Sequence, residues 1–251
     1  MVKFSTAVLF SVLAAPAIGQ PVDGVFFTQR MTSGGAPVTI RTYIEATRLR
    51  TEMSGPDGAM NVTIFDGGKQ VLYIIDPARK AYTEITKADV DRLSASSQGA
   101  LTDVQSQLAN LPPAQRAQVE AMMKGVALTR TGVDKVGSWT CDKYDVILAG
   151  QKIGERCTVS LAVLGFTAAD FAVMQQMAAF YSVMATQMPG QVGGSSGIEP
   201  NGSSDFPVKT VMMISGATMT TELVEAGRET FSDALFAVPA GFRQETGPLG
   251  R

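Results

Sequence analysis

Between Asp23 and Thr86 the chain offers five short runs, VFFTQRM, VTIRTYIEA, RLRTEMS, MNVTIFD and QVLYIID, broken by the turn segments SGGAP, SGPDG and DGGK. β-Branched and aromatic side chains suit a pleated surface, and glycine accepts the positive φ that tight reversals need. This combination restricts the segment to an antiparallel meander of hairpins. Arg48, Arg50 and Glu52 alternate with Leu49, Thr51 and Met53, so one sheet face turns toward water or a polar surface.

The period then changes. Val90, Leu93, Leu101, Val104 and Leu108 recur at helical spacings, and Pro112-Pro113 divides a helical insertion over 87–124 into two. Strands resume with VALTRTG, WTCDKYDVILAG and GERCTVSLAVLG, and a second helical insertion follows over 168–188. Residues 189–207 are dominated by Gly, Ser and Pro and read as a flexible loop. The segment VKTVMMISGATMTTELVEAGRETF reads as two strands joined by a Gly-Ala turn, and ALFAVPAGF as a closing stretch. Strands at both ends of the chain argue for one shared sheet, and a length of 251 residues with 45% hydrophobic content supplies a core for it. The expectation is a single α+β domain over 20–251.

The first 19 residues read as an export signal. Lys3 gives the positive start, FSTAVLFSVLA the apolar run, and APAIGQ the small residues for cleavage after Ala17 or Gly19. The apolar run falls short of the ~20 residues a spanning helix needs, and no cysteine stands near the cleavage region for lipid attachment. No later segment is long and apolar enough to span without polar interruption. With 21 basic against 23 acidic residues, neither nucleic acid nor an anionic membrane surface is an expected partner.

The only two cysteines, Cys141 and Cys157, bracket a hairpin whose turn falls in LAGQKIG. With the turn centred on Ala149 they face each other across neighbouring strands. A structural disulfide fits an exported chain with an even cysteine count; a zinc site, a redox pair and free thiols are the competing readings. The chain has no histidine, which removes Ser-His-Asp and Cys-His catalysis and histidine-bound metals. Asp142 with Asp145, and Asp89 with Asp91, are acid pairs by type, and they read as solvated surface groups. No catalytic residue, metal ligand or cofactor is expected, and the chain reads as a non-enzyme.

In TAADFAVMQQMAAFYSVMATQM, the residues Phe171, Met174, Met177, Tyr181, Met184 and Met188 recur at spacings of three and four, with Thr167 available as a cap. Val173, Phe180 and Val183 lie away from that stripe, so the helix is apolar on most sides and must be buried against the sheet and against something else. Methionine accommodates varied apolar shapes, which makes the stripe a candidate apolar-ligand surface; ordinary core packing is the competing reading. Met174 and Met177 have copper(I) ligand spacing but no cysteine or histidine beside them.

Three segments carry a resemblance: RLRTEMSGPDGAMNVTIFDGGKQVLYIIDPARKAYTEIT, TGVDKVGSWTCDKYDV with Gly132, Gly137, Cys141 and Tyr144, and LFAVPAGF. In these the chain resembles an exported bacterial family known as domain of unknown function 4412, itself similar in pattern to the LolA-like and LolB-like lipoprotein-carrier folds. The resemblance implies a curved antiparallel sheet, an incomplete barrel, covered by a few helices. The function expected is that of a soluble periplasmic protein binding a lipid, acyl chain or lipidated peptide without catalysis. The alternative is a structural or interaction module of the cell envelope that docks a partner protein on the methionine-rich helix.

Overall fold

The computed structural model describes residues 20–55, 57–93, 95, 111–113, 115–116, 125–185, 205–214 and 216–247. Its first six strands are β1 (Pro21–Thr32), β2 (Val38–Glu45), β3 (Arg48–Ser54), β4 (Met60–Asp66), β5 (Val71–Asp76) and β6 (Ala81–Thr86), paired in sequence order as the hairpin meander predicts. A short helix α1 (residues 87–93) follows. Then come β7 (Val126–Val136), β8 (Trp139–Leu148), β9 (Gln151–Ser160), helix α2 (Ala172–Ala185), β10 (Asp205–Ile214), β11 (Ala217–Ser232) and β12 (Arg243–Glu245).

All twelve strands form one sheet in the order β12-β6-β5-β4-β3-β2-β1-β11-β10-β9-β8-β7. The long β11 inserts between β1 and β10, so the two halves of the chain are stitched into the same surface. The sheet curls without closing: β12 and β7 are its two edges. Side chains from β1 to β6 and from β8 and β9 nevertheless meet in one apolar cluster around α2.

The expectation that a few helices cover this sheet is overstated. Among the described residues the helical material is α1, α2, short 3-10 turns and the helical positions Ala95, Pro113, Gln115 and Arg116, the last three at the Pro112-Pro113 division of the insertion, and α2 alone is a helix of three or more turns lying on the core. The rest of the 87–124 insertion and residues 186–188 lie largely outside the described residues, as do the export signal over 1–19 and loop positions 189–204. Residues 205–207, expected in that loop, belong to β10, because Phe206 is drawn into the core against Phe27, Phe166 and Phe171.

The cysteines form a disulfide, Cys141–Cys157, with a Cα separation of 5.5 Å. Its register differs from the simple one. Ala149 and Gly150, both at positive φ, make a two-residue turn flanked by the pair Leu148 and Gln151. That turn alone would set Thr158 opposite Cys141 and point Cys157 to the other face. A bulge at Ile153 shifts the pairing by one, so that Cys157 opposes Lys143 and returns to the face of Cys141, one pair along. Both cysteines are buried in the main core.

Closing a loop of this size contributes about 3 kcal/mol. A double Cys141→Ala/Cys157→Ala variant should therefore lose ~6–12 °C of Tm in a chain this long, measured by calorimetry; an unchanged Tm would show that the register holds without the bridge.

Candidate functional site

Strand alternation sorts the residues of β1–β6 onto two faces of contrasting chemistry. On the concave face, Val25, Ile44, Leu49, Phe65, Leu72 and Ile85 are successive cross-strand partners and form one continuous apolar row. Each is 1% exposed or less. Two residues along each strand lies a second row, Phe27, Thr42, Thr51, Thr63, Ile74 and Thr83. A third follows, with Gln29, Ile40, Met53 and Asn61.

None of these three rows contains a charged side chain. Arg41, Arg48, Arg50, Glu52, Asp66 and Glu84 of the same strands all belong to the convex face. On the concave side the charges are Asp23 near the start of β1, Asp76 at the end of β5, in line with Asn61 of the third row and paired with Arg79 of the following turn, and Arg228 of β11, opposite Val25 and paired with Asp170. The second and third rows open progressively from β1 outward: Phe27, Thr42 and Gln29 are buried, Thr51 and Thr63 half-buried, and Met53 and Ile74 are 39% and 41% exposed. The concave face is thus an apolar floor grading into an uncharged, hydroxyl-bearing shelf.

Helix α2 covers the floor. The backbone N–H and the hydroxyl of Thr167 donate to Asp170 at 2.6 and 2.8 Å, fixing the 3-10 turn Ala168–Phe171 that leads into the helix. Arg228 of β11 joins the same carboxylate and donates to the Gly165 carbonyl at 2.7 Å. Burial works against ionising Asp170, but these donors and the guanidinium hold its carboxyl below the usual range. At the other side, Gln176 passes so close to Gly67 that a Cβ there would lie 2.3 Å from its Oε1.

The buried arc of α2 is Val173, Met174 and Phe180, with Met177 and Tyr181 half-buried beside them. Phe180 lies on Phe65 with ring centroids 5.5 Å apart. Burial raises the Tyr181 hydroxyl above its usual pKa. Of the residues singled out in the sequence, Phe171 and Met174 are core and Met177 and Tyr181 flank it; the Met184 side chain and Met188 lie outside the described residues. Val173, which the sequence stripe sets aside, is fully buried. Positions 173, 174, 177, 180 and 181 form a single arc of a 3.6-residue period, a signal that a stripe drawn through the methionines passes over. Ala172, Gln175, Gln176 and Ala179 are exposed.

The convex face is held by the C-terminal segment. Arg48 bridges Glu45 at 2.7 Å and Asp233 at 2.6 Å and lies over the Phe236 ring, and Arg50 donates to the Leu235 carbonyl at 3.0 Å. Val238 and Phe242 then cover Val62, Ile64 and Ile75, and β12 pairs with β6. The arginine-bearing strand and the LFAVPAGF stretch are therefore two halves of one latch. The acid pairs weighed in the sequence are each tied to bases: Asp142 to Arg130, Asp145 to Lys152, Asp89 to Arg92 and Asp91 to Lys87.

A family model described as "Domain of unknown function (DUF4412)" matches residues 105–242, more than half of the chain. The match includes the cysteine hairpin and the LFAVPAGF stretch and excludes the arginine-bearing strand. No curated protein matches. Among solved structures, an uncharacterized conserved protein from Thermus thermophilus is 10% identical, with a TM-score of 0.47 over 89% of this chain and 90% of that one. The complex of Pseudomonas aeruginosa MucA/MucB gives 12% identity and a TM-score of 0.36 over 91% of this chain and 57% of that chain. LprF from Mycobacterium bovis gives 9% identity and a TM-score of 0.30 over 80% and 85%. At these scores the likenesses carry no argument about function.

If α2 is seated through Phe180, Phe180→Ala should cost about 3–5 kcal/mol, while Gln175→Ala on the outer side stays within ~0.5 kcal/mol. Urea unfolding of both variants checks this; equal effects would mean that the helix presents a different face to the sheet.

Proposed function

The chain belongs to the DUF4412 family, and from that membership and its own geometry we propose that it is an exported periplasmic protein that holds an apolar ligand, a lipid, acyl chain or lipidated peptide, on the concave face of its sheet without catalysis. The observation that carries the reading is the segregation of charge. Three rows of the concave face are uncharged, while the same strands turn their arginines and most of their carboxylates outward. An antiparallel sheet that met water on both faces would have no reason to keep Met53 and Ile74 on the inner side and the ion pairs on the outer one.

The helix contributes as a fixed wall. Its buried arc completes the floor, and the open shelf beside it is where apolar atoms of a ligand would be removed from water, at about 25 cal/mol for each Å² buried. The rival reading, a docking face on the methionine-rich helix, draws less support, because the described apolar side chains of α2 turn toward the core and its exposed positions are alanine and glutamine. Export rests on the leader read in the first 19 residues. Among the described residues no helix is long and apolar enough to cross a membrane.

Native mass spectrometry of the mature protein purified from its own periplasm, followed by organic extraction, tests the proposal. A stoichiometric lipid or acylated peptide is the expected result; a ligand-free protein that also binds no hydrophobic dye would overturn it.

A further inference from the structure

Gln29 is the one long polar side chain in the buried part of the uncharged rows. It is 2% exposed, sits between Ile40 and Leu223 on the neighbouring strands, and its Oε1 has no hydrogen-bond partner among the described residues. A buried amide oxygen without a donor costs free energy that a leucine at the same place would avoid. Beside it, Thr42, Thr51 and Thr63 present hydroxyls in an unbroken cross-strand series leading out to Ile74. From Phe27 to Ile74 the shelf crosses four strand spacings, ~19 Å.

Resting on the proposed function, we infer that this shelf selects ligands whose polar group is uncharged and donates a hydrogen bond, an amide or hydroxyl on an apolar chain, and discriminates against carboxylates and phosphates. Two features supply the discrimination. A carboxylate or phosphate drawn onto the shelf would be stripped of water with no cation in the three rows to meet it, because every arginine and lysine of β1–β6 belongs to the other face or to the turns. An amide N–H or hydroxyl would satisfy the Gln29 oxygen and exchange hydrogen bonds with the threonines, which can donate as well as accept. Gln29 is then a specificity-determining residue, at the closed end of a face that opens at Ile74 and Met53.

Displacement of a bound hydrophobic dye by dodecanamide, methyl dodecanoate and dodecanoate at pH 8 separates the contributions, since these share a chain and differ in donor and charge. The expected order is amide, then ester, then carboxylate, with the amide favoured over the ester by about tenfold. Gln29→Leu should erase that preference, and Thr51→Val should weaken it without touching the buried end. A carboxylate that binds as well as the amide, or a Gln29→Leu variant that folds, binds dye and keeps the wild-type order, would overturn the inference and leave the apolar-ligand reading standing. If neither the dye nor any of the three compounds binds, both fall together.

Discussion

The contact between Phe180 and the row Val25, Ile44, Leu49, Phe65, Leu72 and Ile85 is the constraint on which the rest of the molecule depends. Six strands can share a continuous apolar row only if something removes that row from water, and each of its side chains gains ~1.5–3 kcal/mol by burial. An open sheet cannot do this with its own edges. Among the described residues α2, seated by the Thr167–Asp170–Arg228 anchor and by its close pass over Gly67, lies on that row through Phe180 and Phe65. The same contact thus ties the stability of the floor to the seating of the helix.

The other face solves a different problem. A curled sheet with charges outside would expose Val62, Ile64 and Ile75 on its convex side, and the C-terminal segment covers them after being turned by Asp233 and Leu235 onto Arg48 and Arg50. Because β11 already lies between β1 and β10, this latch needs only a short stretch of chain to reach β6. The disulfide acts at the far side, holding β8 to β9 just beyond a bulge that would otherwise be a place for the register to slip.

Much of this is legible in the sequence because strand patterns are local. The five runs between Asp23 and Thr86, the cysteine hairpin and the turn before β11 each announce themselves within a few residues of their turn signals, although of the expected Gly-Ala turn only Gly216 is in the turn and Ala217 already pairs in β11. The division of Arg48, Arg50 and Glu52 from Leu49, Thr51 and Met53 even separates the two faces of the candidate site. What escapes depends on chain segments far apart. Nothing near Arg48 says that its partner stands at Asp233, and the disulfide register turns on a bulge at Ile153 whose neighbour Gly154 reads in sequence as part of the turn. On the helix, a stripe drawn through the methionines passes over Val173, which is stiff, and Phe180, which is bulky, and both take deep positions against the sheet beside Met174.

Gln29 is silent in the same way, since a lone glutamine in a strand carries no signal until its burial is known. The direct test of the central claim is a crystal structure of the mature protein grown with a dodecyl amphiphile. The account predicts an acyl chain lying along Thr51, Thr63 and Ile74 on the concave face, with α2 unmoved on Phe65. A chain bound on the convex face, or one that displaces Phe180 from the floor, would contradict it.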